Sequence, residues 1–149
     1  MAQSYIKRIL NAQVYDVARE TPLDAAPLLS ARLGNQAFLK REDLQPVFSF
    51  KCRGAYNKMV HLDEAARAGG VVAASAGNHA QGVALAASKL GIKATIVMPV
   101  TTPLIKVDAV KALGAKVVMH GDSFDEAVVR ARALTELEGF TFIHPFDDP

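Results

Sequence analysis

The sequence contains a single cysteine, Cys52, which excludes an intrachain disulfide and a metal site built from several cysteines. A lone thiol fits a reducing compartment, and Cys52 is expected to be packed in the interior. No apolar run approaches the ~20 residues of a membrane-spanning helix, and the polar stretch 1–10 has no signal-peptide core. These features predict a cytoplasmic protein that does not enter a membrane.

The chain also lacks a strong charge of either sign. Its 149 residues carry a net charge of +2, and the lysines and arginines are scattered along the sequence. We therefore expect neither a nucleic-acid-binding face nor a metal site. Half of the residues are hydrophobic and 21% are charged, which is ordinary for a globular protein with one substantial core.

Short apolar runs alternate with amphipathic stretches from residue 47 onward. The predicted strands cover 71–74, 94–98, 116–119 and 140–143, and the predicted helices cover 53–62, 79–90, 103–113 and 123–138. Ser123 and Glu126 have the spacing of a capping box at the start of the last helix. This alternation predicts an α/β fold, with an open, mostly parallel twisted sheet and helices on both faces. Before it, we predict a helix over 4–19, broken near Asn11, and a strand over 37–40.

The first candidate for chemistry is Lys51, in the stretch Ser49-Phe50-Lys51-Cys52-Arg53-Gly54-Ala55. Lys51 lies at or just before the start of a predicted helix, where the helix dipole disfavours a further positive charge. Burial beside Phe50 would act in the same direction. Both effects favour the neutral amine, the nucleophile that forms Schiff bases. The alternative is an ordinary surface lysine, which is the usual place of this residue type.

The second candidate is the stretch Ser75-Ala76-Gly77-Asn78-His79-Ala80-Gln81-Gly82, between a strand and a helix. Small residues let the backbone approach a ligand, and the start of a helix offers unpaired N–H groups to an anion. The alternative is an ordinary turn in which Asn78 caps the helix. The sequence has neither the G-K-[ST] of a P-loop nor G-x-G-x-x-G, so a nucleotide site is disfavoured.

Together, the two stretches resemble the fold-type II pyridoxal-phosphate (PLP) enzymes, which include threonine and serine dehydratases and serine racemase. Ser75 follows Lys51 by 24 residues. Three further stretches are most similar to the biosynthetic threonine dehydratases: Lys40–Lys51, Ile105–Val110 and Gly121–Ala127. The resemblance runs from about Tyr15 to Pro149.

This resemblance implies a reaction and a set of roles. The family eliminates water from L-threonine, giving 2-oxobutanoate and ammonia for isoleucine biosynthesis. Lys51 would hold PLP as a Schiff base and move protons, Phe50 would pack on the pyridine ring, and Asn78 would bind the phenolic oxygen. Apart from the resemblance, residue type alone suggests that His79 orients its loop or caps the helix. The substrate carboxylate would be held by residues of the second stretch, namely Ser75, Ala76, Gly77, Asn78 and His79.

The resemblance also implies that residues 43–149 are the small domain of such an enzyme. Residues 1–42 would pack against a large domain that carries a glycine-rich phosphate loop, which has no counterpart in this sequence. We therefore expect a homo-oligomeric enzyme of which this chain alone is inactive. L-serine dehydratase, serine racemase or a related β-replacement enzyme remain alternatives within the family, and a non-catalytic α/β module is an alternative outside it.

Overall fold

The computed structural model describes residues 5–148, and its first elements build a small antiparallel sheet. Helix α1 is followed by a single 3-10 turn, Val14–Asp16, and then by two strands with a helix between them. The bounds are α1 Tyr5–Asn11, β1 Leu23–Ala25, α2 Pro27–Leu33 and β2 Phe38–Lys40. The strand over 37–40 is confirmed, and the first helix ends at Asn11, near the predicted break. The prediction that the helix continues to residue 19 is wrong, because only the 3-10 turn Val14–Asp16 follows. The sequence reading missed β1 and α2, because elements this short show almost no periodicity.

The rest of the described chain alternates between helix and strand. The helices are α3 Lys51–Val60, α4 Glu64–Gly69, α5 Asn78–Leu90, α6 Leu104–Ala112 and α7 Phe124–Glu138. The strands are β3 Val71–Ala74, β4 Ala94–Met98, β5 Lys116–Met119 and β6 Thr141–Phe142. These four strands pair in parallel in the order β5–β4–β3–β6. The α/β fold with a parallel sheet is therefore confirmed.

Helices cover both faces of this sheet. Side chains of α3, α5 and α6 form the larger core with one face, where Met59, Val83 and Ile96 are fully buried. Helix α7 packs on the other face, and Ala131 lies there against Val72 and its neighbours. Because both faces are covered, every residue of β3 and β4 is buried. That burial explains why these strands are continuous apolar runs in the sequence.

The ends of the long helices follow the predicted signals. Ser123 and Glu126 form the expected capping box at the start of α7. Gly91 and Gly139 end α5 and α7 in the left-handed conformation, which glycine adopts without strain. Helix α4 was not predicted; its N-cap is Asp63, which accepts the Ala66 N–H at 2.8 Å. Among residues 5–148 there is no helix with the length and apolar character needed to cross a membrane.

Candidate functional site

Lys51 is the first residue of α3, as the sequence predicted, and its side chain is half-buried. Its Nζ donates a hydrogen bond to the main-chain carbonyl of Pro145 and lies 5.7 Å from the centroid of the Phe50 ring. Lys51 is thus not an ordinary surface lysine. The neighbouring Cys52 is fully buried, and burial raises the pKa of its thiol, in keeping with a packing role.

Gly82 brings the two candidate stretches together. A Cβ built on Gly82 would lie 2.9 Å from the carbonyl oxygen of Lys51 and 3.2 Å from the amide nitrogen of Cys52. Contacts this short leave no room for a side chain. Helix α5 therefore lies directly against the first turn of α3, so the loop before α5 reaches the neighbourhood of Lys51.

The loop between β3 and α5 has the form of an anion site. Ser75 is buried at the end of β3, and its hydroxyl accepts the N–H of Gly77 at 3.1 Å. Gly77 is the N-cap of α5, and no side chain caps this helix. The alternative in which Asn78 caps α5 is therefore wrong. Asn78 is instead the exposed first residue of the helix, where main-chain N–H groups have no intrahelical partner.

His79 connects this loop to the segment after β6. The imidazole is buried, and its Nε2 lies 2.9 Å from the carbonyl oxygen of Ile143. Burial lowers the pKa of His79, which favours the neutral ring with the Nε2 hydrogen donated to that carbonyl. This geometry agrees with the expectation that His79 orients its loop.

Residues 143–148, here called the strap, cross over Lys51. The Nδ1 of His144 accepts the N–H of Asp147 at 2.9 Å, which closes a tight turn. Asp148 forms an ion pair with Lys58 of α3. The two aspartates 147 and 148 thus belong to a turn and do not form a carboxylate pair. The sequence reading missed the strap, because nothing in its local pattern indicates a contact with residue 51.

A cavity of about 940 Å³ lies between α1, α3 and the strap. Its lining is strongly basic, and Asp148, the only acidic lining residue within 5–148, is paired with Lys58. The basic or titratable lining residues are Lys7, Arg8, Lys51, Lys58, His61, His79 and His144. Phe50 contributes its ring. Lys51, Phe50 and His79 thus face one cavity, whereas Ser75, Ala76, Gly77 and Asn78 lie outside its lining.

A second network, which the sequence reading also missed, anchors the start of α3. Glu42 accepts hydrogen bonds from Nε of Arg53 at 2.8 Å and from the hydroxyl of Thr21 at 2.8 Å. The bonds from Arg53 are the largest cause that lowers the pKa of Glu42 to about 2. Gln45 adds a reciprocal pair of bonds to the main chain of Arg19, at 2.8 and 2.9 Å. The helix that begins with Lys51 is therefore tied to residues 19–21.

Comparison with known proteins finds similar sequences that align with nearly the whole chain. The chain is 58% identical to the biosynthetic L-threonine dehydratase of Burkholderia multivorans, over 99% of this chain and 30% of that protein. It is 62% identical to the chloroplastic biosynthetic threonine dehydratase of Arabidopsis thaliana, over 99% of this chain and 25% of that protein. The chain therefore spans less than a third of the length of these relatives.

Solved structures match as well. The processed form of threonine deaminase isoform 2 from Solanum lycopersicum superposes with a TM-score of 0.91 at 57% identity, covering 97% of this chain and 40% of that one. Maize serine racemase superposes with a TM-score of 0.88 at 35% identity, covering 96% of this chain and 44% of that one. Residues 14–149 match the model of the family described as pyridoxal-phosphate dependent enzyme. With its parallel sheet, its lysine at the start of α3 and this match, the chain belongs to the pyridoxal-phosphate dependent enzyme family.

Proposed function

We propose that this chain forms the lysine-bearing part of a PLP-dependent threonine dehydratase, which converts L-threonine to 2-oxobutanoate and ammonia in isoleucine biosynthesis. The observation that carries the proposal is the contact of Gly82 with the main chain of Lys51. That contact supports the grouping of a half-buried amine with the start of α5 in one site. The choice of threonine is supported by the names of the relatives, several of which are biosynthetic threonine dehydratases.

The residues around Lys51 fit the coenzyme. The cavity of about 940 Å³ lies within the ~300–1,000 Å³ typical of small-molecule sites. Its basic lining complements an anionic molecule, and the exposed Phe50 ring offers a surface for an aromatic one. When bound, PLP supplies an electron sink that makes the Cα–H of an attached amino acid acidic.

Each candidate residue then has a task. Lys51 would hold the coenzyme through Nζ, and the same atom would move the Cα proton of the substrate. Phe50 would pack on the pyridine ring, and Asn78 would bind the phenolic oxygen. The N–H groups at the start of α5, in the stretch Ser75–His79, receive the substrate carboxylate. Ser75 prepares this loop by holding the N–H of Gly77.

We further propose that residues 43–149 act as a small domain and that residues 1–42 pack against a further domain of the enzyme. The support is the apolar surface of the N-terminal elements, which is unusual for residues in contact with water only. Its exposed members are Tyr5, Ile6, Ile9, Leu10, Leu23, Leu28, Leu33, Phe38 and Leu39. The same surface supports assembly into a homo-oligomer. We place the enzyme in the cytoplasm, where a lone reduced cysteine is stable.

The test is the absorbance spectrum of the purified chain titrated with PLP, beside a Lys51→Ala control. A coenzyme band that depends on Lys51 supports the assignment of this residue, and its absence would mean that residues outside the chain complete the site. Threonine turnover is then assayed on the chain and on a longer protein that includes it. We expect the chain alone to bind PLP weakly and to turn over little or no threonine.

Serine racemase is the second candidate, because the maize enzyme of that name shares 35% identity and the same fold with this chain. The longer protein would be assayed side by side with L-threonine, L-serine and D-serine. A higher kcat/KM for L-threonine supports the dehydratase. Interconversion of L- and D-serine without dehydration of threonine would replace it with the racemase.

A further inference from the structure

The strap contacts the candidate site through two main-chain carbonyls. The carbonyl oxygen of Ile143 accepts a hydrogen bond from Nε2 of His79 at 2.9 Å. The carbonyl oxygen of Pro145 accepts one from Nζ of Lys51. A single residue, His144, lies between them. The place of the second carbonyl is therefore set largely by the place of the first.

Further contacts fix the far end of the strap. Asp148 pairs with Lys58 on α3, about two helical turns after Lys51. The N–H of Asp147 is bound to the imidazole of His144, which keeps the turn closed. Pro145 itself has a restricted φ angle because of its ring. Held at both ends, the strap presents the Pro145 carbonyl to Lys51 in a defined position.

We propose that His79 is a positioning residue for Lys51: it anchors the strap through the Ile143 carbonyl, and the strap's Pro145 carbonyl aims the Lys51 amine into the cavity. The inference rests on the proposed function, since it gives Lys51 the role of coenzyme lysine. Nε2 of the His79 imidazole is hydrogen-bonded to the strap. Its side chain therefore acts through Lys51, while its main-chain N–H belongs to the start of α5.

The physical benefit is preorganisation. A lysine side chain is long and flexible, and ordering it at the moment of reaction costs conformational entropy. An amine that is already held in place avoids most of this cost, an effect worth up to about tenfold in an equilibrium or rate. The basic lining of the cavity adds to it by attracting an aldehyde that carries a phosphate. Lys51 should therefore react with PLP faster than an exposed lysine does.

The experiment measures that selectivity on the 149-residue chain. The chain is incubated with PLP, treated with borohydride at fixed times to make the attachment permanent, and digested for mass spectrometry. The quantity compared is the ratio of label on Lys51 to label on Lys106, which is exposed on α6 outside the cavity. We expect a ratio well above one for the unaltered chain.

The variants separate positioning from general damage. His79→Leu, which has no donor, should lower the ratio about three- to tenfold. His79→Gln, whose amide nitrogen can donate to the Ile143 carbonyl, should keep most of it. His120→Gln changes an exposed imidazole just after β5 and should leave the ratio unaltered. Should His79→Leu fail to fold, Asp148→Asn weakens the other tether of the strap without removing a positive charge from the cavity, and it should lower the ratio.

Three results would overturn the proposal. These are a ratio near one in the unaltered chain, an unaltered ratio in folded His79→Leu or in Asp148→Asn, and an equal fall for the Gln and Leu variants of His79. Threonine turnover does not enter the measurement. Failure of the dehydratase assignment would show as an intact ratio without turnover in the longer protein, and is thereby distinguished from failure of the strap.

Discussion

The α-carbon of Gly82 faces the main-chain carbonyl of Lys51 so closely that a side chain at residue 82 would overlap it. The two residues lie on different helices, and no flexible side chain separates them, because the nearest atoms belong to the backbone of residues 51 and 52. Any group added at residue 82 must therefore push α5 and α3 apart. The distance between Lys51 and α5 thus depends on the absence of a methyl group at residue 82.

Gly82→Ala should lower the free energy of unfolding by about 1–3 kcal/mol, the usual cost of overpacking a core. It should also weaken PLP binding, because α5 and α3 must separate to admit the methyl group. Urea denaturation and PLP titration measure the two effects. Gly54→Ala is the matched control: it lies inside α3, a Cβ there has nothing within 4 Å, and the change should stabilise the chain by about 0.5–1 kcal/mol. Equal stabilities for the two variants would contradict the packing argument.

The Glu42–Arg53 pair predicts a loss of stability in acid. The pKa of Glu42 is lowered from its ordinary value of 4.5 to about 2, so the folded state binds fewer protons than the unfolded state in this window. The stabilisation is present above about pH 4.5 and is lost as the pH falls towards 2. Glu42→Gln should remove that dependence and lower the free energy of unfolding at pH 7 by about 1–2 kcal/mol.

The control for this pair is Asp43→Asn. Asp43 bonds Arg41, but both side chains are well exposed, and exposed ion pairs contribute little to the free energy of unfolding. Chemical denaturation at several pH values compares the two variants. If Asp43→Asn lowered the free energy of unfolding as much as Glu42→Gln does, burial of the Glu42 network would add nothing to stability.

His79 predicts a second pH dependence, at higher pH. Burial lowers its pKa below the ordinary value of 6.5, so the unfolded state binds more protons once the pH falls below about 6.5. The contribution of neutral His79 to the free energy of unfolding is therefore fully present above that pH and is lost as the pH falls below it. Lys51 and His144 oppose a charge on this ring, and Asp148 favours one. His79→Gln should flatten the stability profile below about pH 6.5; a profile identical to that of the unaltered chain would contradict a buried neutral histidine.

Ser123→Ala removes half of the capping box of α7. The hydroxyl of Ser123 accepts a hydrogen bond from the N–H of Glu126, and the carboxylate of Glu126 accepts one from the N–H of Ser123. Loss of this cap should cost about 1 kcal/mol, measured by urea denaturation. Ser88→Ala, at an exposed position inside α5, should instead be neutral or slightly stabilising, because alanine is the better helix former.

Much of the sheet could be predicted from the sequence because its signals are local. The strands 71–74, 94–98 and 116–119 are apolar runs, and the structure has β3, β4 and β5 with these bounds. The position of Lys51 at the start of α3 followed from the same reasoning. Helix α4 has only six residues and no strong apolar period, so it was missed.

The surroundings of Lys51 could not be predicted, because they come from distant parts of the chain. No pattern near Pro145 shows that its carbonyl oxygen accepts a hydrogen bond from Lys51. Every residue has a main-chain carbonyl, so the sequence does not mark the one that is used. Glu42 and Arg53 are ordinary charged residues in the sequence, and only the fold places one against the other. The role of Asn78 as a cap was a reasonable expectation from residue type, but Gly77 occupies that position in the structure.

The contact between Lys51 and Pro145 joins residues 94 positions apart. It requires β6, which pairs with β3 at the edge of the sheet, to be in place already. Pairing of such distant segments is slow, and in a chain emerging from the ribosome it must wait for synthesis of the later segment. The lysine is thus made early but gains its partner late: until β6 has joined the sheet, a nascent chain holds its amine no more firmly than any other lysine.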